Sequence, residues 1–129
     1  MSRPDDLKYT ATHEWARIEG DVVTVGITDH AIEQLSDLAY VDLPEVGESV
    51  EKGGTFGEVE STKTVADLVA PIGGEVIEAN SELEENLQLL STDPFGAGWI
   101  AKFRVSGDPD VSGLLDAAGY EDHIKTESH

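Results

Sequence analysis

With 129 residues, 27 acids against 8 bases and a formal net charge of -19, the chain is long enough for one domain with its own core. It is too acidic to suit a phosphate backbone or an anionic membrane surface. It has no cysteine, so thiol nucleophiles, disulfides and thiolate metal sites are excluded, and any redox atoms would belong to an attached group.

Residues 1–6 are polar and read as loose, and the N-terminus lacks the apolar core of a signal peptide. No run approaches membrane-span length, so the chain reads as soluble and cytoplasmic, or as a mature organellar protein. Residues 9–18 (YTATHEWARI) predict a strand, Gly20-Asp21 a turn, and residues 22–27 (VVTVGI) a β-branched return strand. Thr28 or Asp29 can cap a short helix over 30–35, whose Ala31, Ile32 and Leu35 share one face. Strand character resumes over 38–43 and closes at Pro44 and Gly47.

Short strands punctuated by glycine follow. The clearest is a hairpin over 57–71 (GEVESTKTVADLVAP), with alternating apolar flanks and the tip Ser61-Thr62-Lys63-Thr64. GESV at 47–50 faintly echoes GEVI at 74–77, which hints at a folded-over arrangement. Residues 81–87 predict one acid-rich helical turn, 93–98 (DPFGAG) a tight loop, and 99–105 (WIAKFRV) a last strand. A C-terminal helix is expected from Asp108 or Asp110, with Val111, Leu114 and Leu115 on its apolar side, followed by a loose tail over 121–129. The expected architecture is one mainly β domain, a sandwich or small barrel with a few short peripheral helices.

Most reactive constellations are missing. His13, His30, His123 and His129 are far apart in the chain and form no ligand-spaced pair, so no metal site is expected. There is no nucleophile elbow, and the glycines lack a P-loop lysine and serine. Carboxylates are too numerous for any two to be singled out as acid and base. Lys63 on its stiff hairpin remains. A lysine on a turn is more often a solvated surface residue than a reactive one. In a β domain with no other reactive set, however, it suits a carrier whose amine is acylated by a cofactor acid, which raises that cofactor's effective concentration at docked sites.

Four ordered blocks carry a resemblance: YTATHEW, GITDHAIEQLSDLAYVDLPEVGE, GEVESTKTVADLVAPIGGEVIEAN and DPFGAGWI. The third is similar to the modification hairpin of lipoyl domains, and together they resemble the H protein of the glycine cleavage system over about residues 7–120. The resemblance implies a lipoyl-type barrel-sandwich hybrid and a non-catalytic, monomeric carrier. Lys63 matches the lipoylated lysine, with Glu60 and Ser61 in the attachment motif. Glu14 and Asp67 are implied near the loaded amine, where a carboxylate would hold a cation. The implied cofactor is covalent lipoate. The implied partners are a pyridoxal-phosphate glycine decarboxylase, an aminomethyltransferase, dihydrolipoamide dehydrogenase, and a lipoate ligase or lipoyl transferase. Neither nucleic acid nor membrane is among them.

Departures from the family pattern are Ser36 for a glycine, Leu87 for a proline, Ser91 for an asparagine and Thr64 for a small residue after the lysine. Three rivals share the hairpin, of which the lipoyl domain of a 2-oxo-acid dehydrogenase would carry Asp-Lys-Ala and lack the HEW block. A biotin carrier would place its lysine between methionines, whereas Lys63 lies between Thr62 and Thr64. A lipoate relay for other enzymes would look the same as a glycine-cleavage carrier.

Overall fold

The computed structural model describes residues 7–10, 12–35, 37–105 and 114–127. The strand expected over 9–18 is two strands. Lys8–Tyr9 (β1) folds back antiparallel on Glu14–Glu19 (β2), with Lys8 opposite Ala16 and Tyr9 opposite Trp15. The chain reverses between them because the His13 N–H donates to the Thr10 carbonyl at 3.1 Å and the Thr10 N–H to the Glu14 carbonyl at 2.9 Å. His13 completes the reversal at φ 75°, a left-handed conformation that periodicity does not announce. Val22–Ile27 (β3) then pairs along the whole of β2, from Glu14 opposite Ile27 to Glu19 opposite Val22.

Asp29–Leu35 (α1) starts where expected, with the Thr28 hydroxyl accepting the Ala31 N–H at 3.3 Å. It is followed by Leu38–Asp42 (β4), Ser49–Val50 (β5), Thr55–Ser61 (β6), Val65–Val69 (β7), Gly74–Ala79 (β8) and Ala101–Arg104 (β9). The strands form a six-stranded sheet in the order β1-β2-β3-β9-β8-β5 and a three-stranded sheet in the order β4-β6-β7. The architecture is therefore mainly β, in two open sheets rather than a closed barrel. The two echoing segments meet: Ser49 pairs with Glu75 and Val50 with Gly74.

One apolar core joins the sheets, with Val23, Val25, Val59, Leu68, Val76 and Phe103 among its buried members. Two single-turn helices, Glu82–Glu85 (α2) and Leu89–Thr92 (α3), each insert one leucine into it, Leu83 and Leu90. The acid-rich turn was expected; the second was not, because two adjacent leucines in four residues set no period.

A second cluster, Leu7, Tyr9, Trp15, Ala117 and Tyr120, fastens the C-terminal helix Ala117–Glu127 (α4) against β1 and β2. Tyr9 and Tyr120 stack with centroids 5.0 Å apart, and the Trp15 indole N–H donates to the Pro94 carbonyl at 2.8 Å. The indole lies against Gly26, where a Cβ would come within 2.6 Å of the ring.

Two expectations for the C-terminus are corrected. The tail read as loose from 121 is helical through Glu127, because Tyr120 anchors it in the second cluster. Leu114 and Leu115 precede the helix, and Leu115 forms an antiparallel bridge with Tyr9. Ser36, Asp108, Asp110, Val111 and His129 lie outside the described residues. No helix among the described residues is long and apolar enough to cross a membrane.

Candidate functional site

The hairpin of β6 and β7 pairs Glu60 with Val65, which leaves residues 61–64 as its tip. One side chain organises that tip. The Ser61 hydroxyl donates to the Thr64 carbonyl at 3.2 Å and accepts the N–H groups of Lys63 at 3.3 Å and Thr64 at 3.1 Å. The main chain adds Ser61 N–H to the Thr64 carbonyl at 2.8 Å, and Thr62 N–H to the Asp37 carbonyl at 3.0 Å. Ser61 is buried, while Thr62, Lys63 and Thr64 are exposed. A short polar residue that hydrogen-bonds the backbone two and three positions on is what holds a tight turn. Lys63 is thus presented on a fixed backbone with its side chain in solvent. Glu60, one residue before Ser61, is exposed.

Glu14 is in a different environment. It is 1% exposed, and each carboxylate oxygen has a donor. The Thr10 hydroxyl donates to one oxygen at 2.7 Å, the Thr12 hydroxyl donates to that same oxygen, and the Val69 N–H reaches the other at 3.3 Å. Burial raises this carboxyl above the usual carboxylate range, and the hydroxyl and amide hydrogen bonds only partly oppose it. The donors therefore favour an anion in a place where water is scarce.

A cleft of about 230 Å3 joins the two regions. Glu14 and Asp67 both line it, and it reaches the hairpin at Thr64 and Val65, immediately after Lys63. Ile27, Ala31, Leu35, Val59 and Leu68 give it an apolar floor, and Gln34 adds an amide. Asp67 is exposed and stands directly opposite Glu58 in the hairpin register, so two like charges face each other across the strands. A larger depression of about 820 Å3 lies among residues 42–48 and 55–58. It is rimmed by Asp42, Glu45, Glu48 and Glu58 and does not include the tip.

Sequence reasoning missed the residues that serve Glu14. Thr10 and Thr12 stand four and two positions before it, a spacing that could have signalled hydroxyl donors to a carboxylate. Val69 is 55 positions away and left no signal.

Sequence reasoning also left the histidines scattered, whereas the fold gathers three. The His13 ring lies 4.8 Å from His30 and 6.2 Å from His123 between centroids. Chain distance does not predict this, because α1 and α4 arrive from opposite ends of the sequence. Among the described residues, no group of three or more His, Cys, Asp or Glu could hold a metal ion.

Comparison with known proteins identifies relatives of this chain. The family model described as glycine cleavage H-protein matches residues 7–127. The glycine cleavage system H protein of Rubrobacter xylanophilus is 56% identical over 124 residues, covering 96% of each chain. That of Thermus thermophilus is 48% identical over 128 residues, covering 99% of this chain and all of the relative. Among solved structures, a glycine cleavage system H protein from Mycobacterium marinum superposes with a TM-score of 0.82 at 42% identity, covering 98% of this chain and all of the other. The chain belongs to the glycine cleavage H-protein family.

Proposed function

We propose that the protein is the non-catalytic lipoyl carrier of a glycine cleavage system, with lipoate joined by an amide to Lys63. The observation that carries this reading is the placement of one exposed lysine on a pinned tip beside a cleft lined by Glu14 and Asp67. When bound, the lipoyl group supplies a disulfide that takes up an aminomethyl unit at the decarboxylase, yields it at the aminomethyltransferase, and is left as a dithiol for reoxidation by dihydrolipoamide dehydrogenase.

The residues suit that group. The apolar floor made by Ile27, Ala31, Leu35, Val59 and Leu68 matches a hydrocarbon arm and its sulfur ring. An aminomethyl cargo carries a cationic nitrogen, and Glu14 and Asp67 offer it opposite charge. At rest, burial favours a proton on Glu14; an arriving cation favours the carboxylate that Thr10, Thr12 and Val69 already surround. The same cation relieves the repulsion between Asp67 and Glu58. Ser61 keeps the backbone on either side of Lys63 in one geometry for the ligase or lipoyl transferase that reads Glu60-Ser61-Thr62-Lys63. The formal charge of -19 suits docking on partners with basic surfaces.

Intact mass after co-expression with a lipoate ligase tests the reading. A lipoyl increment mapping to Lys63 is expected; a biotin increment, or none, would overturn it. The lipoylated protein should then support glycine and bicarbonate exchange with a decarboxylase. A lipoylated protein that supports none would instead favour the relay role.

A further inference from the structure

Tyr120 carries a hydroxyl that packing does not require. Its ring is fully buried and stacked on Tyr9, and a phenylalanine would fill that volume equally well. The hydroxyl is instead bound on two sides, 2.7 Å from His13 Nδ1 and 2.7 Å from Thr28 Oγ1. A buried phenol is stable only with such partners, and here they lie on two elements remote from α4 in the chain.

His13 is where those contacts converge. It is the non-glycine residue with positive φ among the described residues, a conformation that costs energy unless its surroundings hold it. The Thr28 N–H donates to its carbonyl at 3.0 Å, and the Tyr120 hydroxyl bonds its ring. The turn so held directs the next residue, Glu14, and His13, Glu14, Ile27 and Ala31 all line the same cleft. A chain of contacts therefore runs from α4 to the cleft wall. Beside it, His30 Nε2 is buried with no hydrogen-bond partner among the described residues.

We propose that Tyr120 is a positioning residue for the cleft: through its hydroxyl on His13 it holds the turn that presents Glu14, so that this contact, and not the apolar packing of α4, sets how tightly the cleft closes over an arm from Lys63. The purpose of that closure rests on the carrier reading above; the contacts do not. Since the hydroxyl acts on the wall and not on the floor, its loss should loosen the cleft without preventing modification of Lys63.

The test compares Tyr120→Phe with Leu115→Ala, which weakens the same apolar cluster but keeps the hydroxyl. In protein without lipoate, NMR should show the chemical shifts of the His13 imidazole nitrogens altered in Tyr120→Phe, because the contact at Nδ1 is lost. It should also show the Glu14 carboxyl titrating closer to the ordinary carboxylate range, as water reaches it. In lipoylated and loaded protein, Tyr120→Phe should lose its cargo to buffer about tenfold faster, the scale on which lost hydrogen bonds act, with full lipoylation of Lys63. Leu115→Ala should change neither readout. A Glu14 titration in Tyr120→Phe identical to wild type, or Leu115→Ala reproducing its effects, would overturn the proposal. If wild-type protein accepts no lipoyl group, the carrier reading fails and the titration alone decides the role of Tyr120.

Discussion

The hairpin tip and the Glu14 site border one cleft, yet they are built in opposite ways. The tip is made from four consecutive residues, and its hydrogen bonds reach no further than Asp37. The Glu14 site draws on residues 10, 12, 14 and 69, from a turn and two different sheets. A group that other enzymes must reach belongs on an exposed, locally stiffened turn. A group that must hold a charge away from water needs the whole fold around it, because a carboxylate is shielded only by burial on every side.

The strongest break in that comparison is Lys63→Arg. The guanidinium keeps the charge but forms no lipoyl amide, so intact mass should show no modification at any lipoate concentration. The Glu14 titration should be unchanged, since the two regions share only the cleft.

Next in size is Trp15→Ala. Removing a fully buried indole beside Glu14 should cost about 3–5 kcal/mol of folding stability in urea denaturation. It should disturb the Glu14 titration far more than the conformation of the tip. A stability loss below about 1 kcal/mol would show that the second cluster does not support the cleft wall.

Glu14→Gln sharpens the comparison through pH. A carboxyl raised by burial binds its proton more tightly folded than unfolded, so the folded state is favoured at low pH. That advantage is lost as pH rises from the ordinary glutamate range through the elevated folded value. The glutamine variant carries no such ionisation. It should match wild type in acid, exceed it in thermal stability at neutral pH, and lose cargo faster once loaded. Equal pH profiles for the two proteins would remove the argument that Glu14 gives up stability for a charge held in reserve.

The smallest effect is expected from Ser61→Ala. The hydroxyl lost from the tip should cost about 1 kcal/mol, seen as faster amide exchange at Lys63 and Thr64 and a several-fold slower rate of lipoylation. Unchanged exchange would mean that the main-chain bonds alone hold the tip.

The hairpin was legible because a two-residue period and a polar tetrad are local signals, and the β6–β7 register puts the tip at 61–64 as read. Strand 9–18 misled for the same reason. Its strand character holds on either side, but His13 at positive φ turns the chain in the middle of it, and the enrichment of histidine at positive φ does not by itself place a turn. The C-terminus misled in another way. Val111, Leu114 and Leu115 have helical spacing in the sequence, but Tyr9 offers Leu115 a sheet edge, and backbone pairing there replaces helix.

The sequence by itself determined the mainly β architecture, the exposed lysine at the hairpin tip and the resemblance to one family, since each follows from contiguous residues. Only the tertiary structure decided that Glu14 is buried among hydroxyls, that it shares a cleft with Asp67, and that three histidines separated by up to 110 positions surround one strained turn. Burial and convergence depend on which distant elements pack together, and that is settled by the joint fit of both clusters rather than by any window of the chain.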